Sequence, residues 1–403
     1  MSNLFFILAG ETSGDNHAAR LMTAMKALDP DARFVGMGGP RMAAAGLEIA
    51  KDLDGMQVIG FWEVARQYGF FKRVFYQLLD RVKQERPRAL ICVDYPGFNL
   101  RFAKEVRKLD IPVLYYIVPQ VWAWKAMRAK SMVQFVDRAF CVFEFEPPFF
   151  KKFGLKTEFV GHPLVDHVAG AATPELRLSP GPKTVALLPG SRTNEFNAHC
   201  QSMCEGFNLA RERVPNLRAL LSVQNGMNAA LRVTEDKGRL LALPSLPGQR
   251  SETFIQLAPH CDADDEAVKR ALESGHAHTA LLASAADFSV VKSGTSTLEA
   301  GLAGNPMCVV YRASPISYFI ANLLVNIPVF SLVNIVLGRY AVPELPQGDV
   351  NPARLANEIE RGLNDAKYRE RQQAALAELP GRLGGPGASA RAAKGMLDFL
   401  NGK

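Results

Sequence analysis

Cysteine is scarce in this chain, and its six cysteines follow no pattern that a disulfide framework or a zinc site would need. Several lie in apolar runs such as residues 90–93 (LICV), where a thiol packs as a small hydrophobic group. Cys200 and Cys204 are four residues apart, but no second ligand pair follows at zinc spacing. These absences favour a reduced, cytoplasmic protein.

The chain also lacks the marks of a signal peptide and of a clear membrane span. No positive charge precedes the apolar run at 4–9, which is too short for a signal sequence and predicts a buried strand. Residues 316–337 contain no Asp, Glu, Lys or Arg and are long enough to cross a bilayer. Pro328 and three asparagines in this stretch are costly in hydrocarbon, so we predict a buried or membrane-contacting helix and then a loop.

The composition is that of an ordinary globular protein. Of 403 residues, 48% are hydrophobic and 22% are charged, which predicts two domains with separate cores. The net charge of +7 fits either simple solubility or attraction to an anionic partner, and both remain open. We expect no nucleic-acid partner.

Short apolar runs alternate with amphipathic stretches along the chain, which indicates parallel sheets covered on both faces. Strands are predicted in the first unit at 4–9, 33–37, 89–94, 113–117 and 138–143, and in the second at 184–188, 217–222, 286–291 and 307–311. Residues 225–278 give no clear prediction. We predict a first domain at 1–168, a second at 183–345, and C-terminal helices at 346–403 that pack on the first domain. Ligands of such tandem domains bind in the cleft between them.

Two loops of the first unit follow predicted strands. The loop at 9–15 (AGETSGD) opens a helix whose start favours an anion, although a tight turn with a helix cap is the alternative. It matches neither a P-loop nor a dinucleotide fingerprint. Asp94 ends a buried apolar strand before Pro96. Its carboxylate can serve as a general base towards a sugar hydroxyl, or can cap the helix that begins near Phe98.

Three further motifs also lie at the carboxyl ends of predicted strands. The motif at 118–125 (VPQVWAWK) offers two tryptophans that either stack on a ring or pack under a loop. The turn at 189–192 (PGSR) places Arg192 where it suits a diphosphate. The turn at 292–299 (KSGTSTLE) offers amides and hydroxyls to the same diphosphate, with Glu299 accepting from ribose hydroxyls. Its alternative is a capping box. Two such turns in one domain favour nucleotide binding.

One aromatic and basic segment suits a membrane surface. Its apolar members are interleaved with cations, as in patches that dip into an anionic leaflet, although a core helix with a solvated basic edge is the alternative. The predicted patch is Phe61, Trp62, Val64, Phe70, Phe71, Lys72, Arg73, Val74 and Phe75.

Several motifs occur in one order along most of the chain, at 9–15, 38–42 (GGPRM), 121–124 (VWAW), 161–164 (GHPL), 187–192 (LLPGSR), 293–299 and 342–345 (VPEL). Together they resemble the lipid-A-disaccharide synthases, glycosyltransferases of family 19. The resemblance implies a GT-B fold, with two doubly wound Rossmann-like domains, and an inverting transfer without metal or cofactor. It implies UDP-2,3-diacylglucosamine as donor and 2,3-diacylglucosamine 1-phosphate (lipid X) as acceptor. The products would be the β-1,6-linked lipid A disaccharide 1-phosphate of lipopolysaccharide and UDP.

The resemblance also implies roles for individual residues. It places Asp94 on the family's functionally important aspartate and Arg192 on its donor-phosphate arginine, which we predict to be catalytic. Helix N-termini and Arg192 would then stabilise the departing UDP. The residues predicted to line the UDP-sugar site are Gly10, Glu11, Ser13, Gly14, Gly190, Ser191, Ser293, Gly294, Thr295, Glu299, Asn334 and Gln347. A peripheral location on the cytoplasmic face of the inner membrane and a homodimer with exchanged C-terminal elements are implied as well.

The chain departs from the family pattern at several positions, and other functions are conceivable. Gly97 stands where a second aspartate is common, Val118 and Gln120 replace serines, Val333 replaces a proline, and Lys292 is an unusual cation. One alternative is another GT-B enzyme that uses UDP-N-acetylglucosamine, either a murein-type transferase or a 2-epimerase. The other is a catalytically silent nucleotide-sugar-binding protein, which the presence of Asp94, Arg192 and Glu299 argues against and Gly97 leaves open.

Overall fold

The computed structural model describes residues 3–53, 68–123, 126–170, 182–223, 231–236, 239–244, 255–257, 278–313 and 329–402. The chain divides into two compact units. Unit 1 consists of Met1–Pro163 and Leu383–Lys403, and unit 2 of Leu164–Arg382. Of the C-terminal helices predicted as one group at 346–403, those before residue 383 therefore belong to unit 2.

Unit 1 contains a seven-stranded parallel sheet in the order β3-β2-β1-β4-β5-β6-β7. Its predicted strands are confirmed, with small differences at their ends, because parallel strands buried on both faces have continuous apolar sequences. The strands are β1 (Leu4–Ala9), β2 (Arg33–Met37), β3 (Leu47–Lys51), β4 (Ala89–Val93), β5 (Val113–Tyr116), β6 (Arg138–Cys141) and β7 (Thr157–Phe159).

Helices connect these strands and cover the sheet, as parallel pairing requires. They are α1 (Thr12–Leu28), α2 (Pro40–Ala44), α3 (Tyr68–Glu85), α4 (Pro96–Arg107), α5 (Met127–Met132) and α6 (Glu146–Lys151). Phe6, Tyr115 and Phe102 are fully buried in the core of the unit. The sheet thus provides a rigid platform for the loops at its carboxyl edge.

Unit 2 contains a six-stranded sheet in the order β12-β9-β8-β13-β14-β15, in which only β12 is antiparallel to its neighbour. Its strands are β8 (Thr184–Leu188), β9 (Arg218–Ser222), β12 (Ile255–Leu257), β13 (Phe288–Lys292), β14 (Met307–Tyr311) and β15 (Glu344–Pro346). A separate antiparallel hairpin joins β10 (Leu231–Asp236) to β11 (Arg239–Pro244). The buried amide of Asn208 anchors this hairpin by pairing with both backbone groups of Leu240.

The helices of unit 2 are α7 (Leu164–Gly170), α8 (Thr193–Arg213), α9 (His278–Ser284), α10 (Thr295–Leu302), α11 (Leu332–Leu337), α12 (Pro352–Asn364), α13 (Ala366–Leu376) and α14 (Leu379–Arg382). Helix α12 packs closely on α8, since a Cβ at Gly206 would lie 2.6 Å from the Cβ of Leu355. No helix within the described residues is long and apolar enough to span a membrane. The helix predicted in the uncharged stretch falls largely on residues 314–328, outside the described ranges.

The last helix, α15 (Ala388–Leu400), packs on α1 in unit 1. Arg391 anchors the segment before it, because its guanidinium donates to the carbonyls of Val160 at 2.8 Å, Gly384 at 2.8 Å and Pro386 at 2.6 Å. Gly161 has a φ of +83°, and a Cβ there would lie 2.7 Å from an Arg391 nitrogen. The GHPL motif therefore includes a glycine that allows the C-terminal segment to approach.

Candidate active site

The first group of predicted site residues lies where the strand order of unit 1 reverses. Strand β1 pairs with β2 on one side and β4 on the other, so the loops after β1 and β4 emerge at adjacent points of the carboxyl edge. A Cβ at Gly10 would lie 2.2 Å from the ring of Tyr95, which leaves room only for glycine. Burial, and then the charge of Glu11, raises the pKa of Tyr95 to about 12. Gly10, Glu11 and Asp94 are thus brought together.

The backbone of Asp94 is held in an unusual conformation. Asp94 and Tyr95 have φ values of +47° and +48°, in a region that non-glycine residues rarely occupy. The carbonyl of Asp94 accepts hydrogen bonds from the Tyr115 hydroxyl at 2.7 Å and from Asn99 Nδ2 at 2.8 Å. Asn99 is fully buried and also donates to Val93. These bonds, which no sequence motif predicted, fix the backbone from which the Asp94 side chain projects.

Asp94 lies just before the helix that it was predicted either to cap or to precede as a base, and it does not occupy the N-cap position. Helix α4 begins at Pro96, and its N-cap residue is Tyr95, whose side chain makes no capping hydrogen bond. Asp94 is half-buried, one residue before the N-cap. Asp94 lies at the carboxyl end of β4, as predicted for a residue that contacts the substrate.

The loop at 9–15 contains both exposed and buried residues. Ser13 is exposed in the first turn of α1, whereas Gly14 is buried beneath it. Asp15 is buried as well, and its carboxylate accepts from the backbone N–H groups of Gly39 at 2.8 Å and Met42 at 3.0 Å. The two sequence motifs at 9–15 and 38–42 are therefore parts of one hydrogen-bonded structure.

Trp122 packs under its loop, which is one of the two alternatives for its motif. Its indole N–H donates to the buried Glu146 at 3.0 Å, and its ring meets the edge of Phe145 at a centroid distance of 4.8 Å. Glu146 also accepts from the N–H of Val142, yet burial raises its pKa to about 7. Residues 124–125 lie outside the described ranges.

His162 of the GHPL motif is a buried, neutral histidine. Its ring lies 5.3 Å from that of Phe143 and 6.5 Å from that of His17, measured between centroids. Burial lowers the pKa of His162 to about 4, so the ring carries no charge near neutral pH.

The second group lies where the strand order of unit 2 reverses, at β8 and β13. Strand β8 pairs with both β9 and β13, so the turns after β8 and β13 are neighbours. Gly190 and Gly294 have φ values of +114° and +152°, which glycine adopts readily. Arg192 is the N-cap residue of α8 and half of its side chain is exposed. Ser191 and Thr295 are exposed beside these glycines.

Glu195, which was not among the predicted site residues, connects the two turns. Its Oε1 lies 2.6 Å from Lys292 Nζ and 3.7 Å from Arg192 Nη1. The only signal in the sequence was a carboxylate three residues after Arg192, which by itself indicates a favourable first-turn charge. Its partner Lys292, at the end of strand β13, could be identified only in the structure.

The capping-box alternative for the second turn is not observed. The N-cap residue of α10 is Gly294, whose carbonyl accepts from the Thr297 hydroxyl at 2.8 Å. Ser293 donates to the carbonyl of Phe330 at 3.1 Å. Glu299 is half-buried, and burial raises its pKa to about 7, while a hydrogen bond from Thr279 opposes the shift.

Asn334 and Gln347 use their side chains to hold backbone. Asn334 is fully buried, donates to Val342 at 2.9 Å and accepts from Ala341 at 2.8 Å. The amide of Gln347 pairs with both backbone groups of Ala313, at 2.7 and 3.1 Å. These hydrogen bonds hold the neighbouring loops, and the role of both residues in the UDP site stays a prediction.

The predicted membrane patch is only partly described. Val74 is 3% exposed and Phe75 packs on Phe102 at a centroid distance of 5.2 Å, so the prediction of a surface role is wrong for Val74. Phe70 and Phe71 are half-buried, and Lys72 and Arg73 are exposed. Phe61, Trp62 and Val64 lie outside the described residues.

Metal independence stays a prediction. Within the described ranges, no three His, Cys, Asp or Glu side chains form a group that could hold a metal ion. Asp262 and Asp264 have the spacing of an aspartate pair that binds metal in some glycosyltransferases, and they lie outside those ranges.

Comparison with known proteins supports one family. The sequence model of the family described as Lipid-A-disaccharide synthetase matches residues 5–256 and 241–380. The lipid-A-disaccharide synthase of Myxococcus xanthus is 36% identical over 406 residues, covering 98% of this chain and 97% of its own.

Solved structures support the predicted GT-B fold. The S. aureus MnaA structure with UDP has a TM-score of 0.62 at 10% identity, covering 100% of this chain and 97% of its own. The calicheamicin glycosyltransferase CalG4 has a TM-score of 0.57 at 15% identity, with 99% and 98% of the chains covered. With the two parallel α/β sheets, these matches confirm the fold class. The chain belongs to the lipid-A-disaccharide synthase family and is a glycosyltransferase of lipid A biosynthesis.

Proposed function

We propose that the described groups divide the reaction between them. The two turns of unit 2 bind the UDP of the donor, and Asp94 of unit 1 acts on the acceptor hydroxyl. The donor is UDP-2,3-diacylglucosamine and the acceptor is 2,3-diacylglucosamine 1-phosphate, as in the family. The products are the β-1,6-linked disaccharide 1-phosphate and UDP.

The observation that carries this proposal is the pair of glycine turns at the strand reversal of unit 2. Each turn leads directly into a helix, and each contains a glycine with a positive φ that other residues rarely adopt. Helix starts carry partial positive charge, and Arg192 adds a full charge with a fork of donors suited to phosphate oxygens. A diphosphate is the ligand that such a site favours.

In the transfer step, Asp94 accepts the proton of the acceptor's 6-hydroxyl as the oxygen attacks the anomeric carbon of the donor. The bond from that carbon to the diphosphate oxygen breaks, and UDP departs with the electron pair. Attack from the opposite face inverts the anomeric centre and gives the β-linkage. Arg192 and the helix starts stabilise the negative charge that develops on UDP. The fixed backbone of Asp94 supports this role because a general base must be positioned accurately.

A direct assay tests the function and separates it from the alternatives. Purified protein is incubated with UDP-2,3-diacylglucosamine and 2,3-diacylglucosamine 1-phosphate in detergent micelles, and the disaccharide and UDP are quantified by mass spectrometry. We expect equal amounts of both products. Turnover of UDP-N-acetylglucosamine alone would instead indicate an epimerase, and UDP binding without any turnover would indicate a silent binding protein.

The location of the enzyme follows from the same proposal. Two acylated substrates require access to a membrane surface, and Lys72 and Arg73 expose two cations beside the half-buried Phe70 and Phe71. We propose peripheral binding to the cytoplasmic face of the inner membrane through this part of α3. The wild-type protein should sediment together with anionic vesicles. The double variant Lys72→Glu, Arg73→Glu should remain in the supernatant. Unchanged retention would contradict this assignment.

The oligomeric state belongs to the proposal as well. The family resemblance implies a homodimer that exchanges C-terminal elements, and the segment Leu383–Lys403 that follows unit 2 is the candidate for exchange. Light scattering of the full chain should give twice the mass of one chain. A mass of one chain at all concentrations would exclude the dimer.

A further inference from the structure

An ion pair between Lys292 and Glu195 links the two turns of unit 2. Lys292 is the last residue of β13, and Glu195 lies in the first turn of α8. Lys292 Nζ lies 2.6 Å from Glu195 Oε1, and the two side chains are 16% and 19% exposed. Because both groups are largely shielded from water, their attraction is screened less than that of a surface pair.

The pair lies directly over the glycine backbone of both turns. A Cβ at Gly190 would lie 2.7 Å from Glu195 Oε2, and a Cβ at Gly294 would lie 3.6 Å from Lys292 Nζ. The Glu195 side chain thus fills the space beside Gly190, and the Lys292 amine lies beside Gly294. Any diphosphate that approaches these turns meets both charges at short range.

Glu195 presents an electrostatic problem at such a site. A carboxylate beside two helix starts repels the phosphate oxygens that those starts attract. It also competes for Arg192, whose Nη1 lies 3.7 Å from the same Oε1 that Lys292 contacts at 2.6 Å. Of the two cations, Lys292 makes the shorter contact, while half of the Arg192 side chain is exposed.

We propose that Lys292 is a positioning residue of the donor site, which neutralises Glu195 and thereby directs Arg192 to the diphosphate. The inference rests on the proposed binding of UDP at these two turns. It assigns a role to one of the positions at which this chain departs from the family pattern. The competing role is a direct one, in which Lys292 itself contacts a phosphate.

A double-mutant cycle distinguishes these roles. UDP affinity is measured by calorimetry for the wild type, Lys292→Ala, Glu195→Gln and the double variant. If Lys292 acts through Glu195, Lys292→Ala should weaken UDP binding by roughly tenfold, because a single charge contact is worth about that factor. Glu195→Gln removes the carboxylate, so the double variant should recover to within about threefold of Glu195→Gln alone.

Three results of the double-mutant cycle would overturn the inference. One is an unchanged affinity in Lys292→Ala, and another is a double variant as weak as Lys292→Ala, which would make Lys292 a direct ligand. The third is a wild type that does not bind UDP at all, which would overturn the proposed donor site too. The first two results leave the donor site intact. Failure of the inference about Lys292 can therefore be distinguished from failure of the proposed donor site.

Controls exclude trivial explanations. Lys367→Ala removes one exposed cation of α13, and so the same net charge, and should leave UDP affinity unchanged. Uridine lacks the diphosphate, so all four chains should bind it equally. Lys292→Met keeps most of the aliphatic stem and should reproduce the effect of Lys292→Ala; wild-type affinity in Lys292→Met would contradict the assignment to charge.

Discussion

The two units hold their functional loops at the same place, the carboxyl edge of a parallel sheet where the strand order reverses, but by different means. In unit 1 the loop after β4 contains non-glycine residues with positive φ, and buried neutral donors hold the carbonyl of Asp94. In unit 2 the turns contain glycines, and an ion pair links them.

This difference fits the two tasks proposed for the units. A residue that moves a proton needs one fixed direction, and hydrogen bonds between buried neutral groups provide it without adding charge. A site for a diphosphate needs open backbone and a balance of charge, which glycines and ionised side chains provide. The comparison predicts that unit 1 is sensitive to geometry and unit 2 to charge.

The largest effect should come from Asp94→Asn, which keeps the shape of the side chain but removes the base. We expect the transfer rate to fall by about a thousandfold, the scale of general-base catalysis, while UDP affinity stays within about threefold of the wild type. Product formation is measured by mass spectrometry and UDP binding by calorimetry. A parallel loss of UDP affinity would contradict the division between the units. Asp80→Asn, on the exposed face of α3, is the matched control.

The sequence predicted five of the seven strands of unit 1 and four of the six in the sheet of unit 2, because these strands are mostly apolar runs. The short or charged strands β3, β7, β12 and β15 were not predicted. The bounds of β8 and β14 match their predictions at both ends. The hairpin of β10 and β11 was missed because it lies outside the two parallel sheets and its strands mix apolar with charged residues. Strand β12 has only three residues and depends on its pairing with β9.

The residues that support the site were harder to predict than those that form it. Asp94 and Arg192 stand at strand ends, a position that sequence reveals. Asn99 acts on a carbonyl five residues away, and Glu195 pairs with a residue 97 positions further along the chain. Asn334 carries the polar side chain expected of a ligand, yet its amide is used by its own loop. Such assignments need tertiary contacts.

An intermediate effect should follow from Asn99→Ala, which removes the amide beneath Asp94. Loss of a buried hydrogen-bonding group costs about 1–3 kcal/mol of folding free energy, and the carbonyl of Asp94 would lose one of its two donors. We expect the transfer rate to fall by about tenfold to a hundredfold at temperatures where the variant remains folded, because misplacing a catalytic group by about 1 Å can cost about a hundredfold. Unfolding is followed by circular dichroism.

Asn208→Ala is the matched control for Asn99→Ala. It also removes a buried amide that holds a backbone segment, here Leu240 in unit 2. We expect a similar loss of stability with little change in transfer rate. If both variants lost activity equally, the effect of Asn99 would be general destabilisation and not the positioning of Asp94. Tyr115→Phe removes the other donor and should behave as a milder version of Asn99→Ala.

The smallest effect concerns pH and Glu299 of unit 2. Burial raises the pKa of this carboxyl to about 7, so it is largely protonated below that pH and ionised above it. A carboxylate accepts from two ribose hydroxyls, whereas a carboxylic acid accepts less well, so uridine should bind more tightly as pH rises from 6 to 8. The gain should be a few-fold, because a neutral acid keeps part of its capacity to accept. Uridine is the probe because the phosphate of UDP also titrates near pH 6.

The Glu299→Gln variant should bind uridine with an affinity that does not vary over this range. The same raised pKa affects folding: ionisation is less favourable in the folded chain, so stability falls as pH rises from about 4.5 towards 7, and Glu299→Gln should lessen that fall. A wild-type uridine affinity that is flat between pH 6 and 8, or a variant that retains the slope, would show that Glu299 does not contact the ribose. Unit 2 would then recognise its donor through the two turns alone.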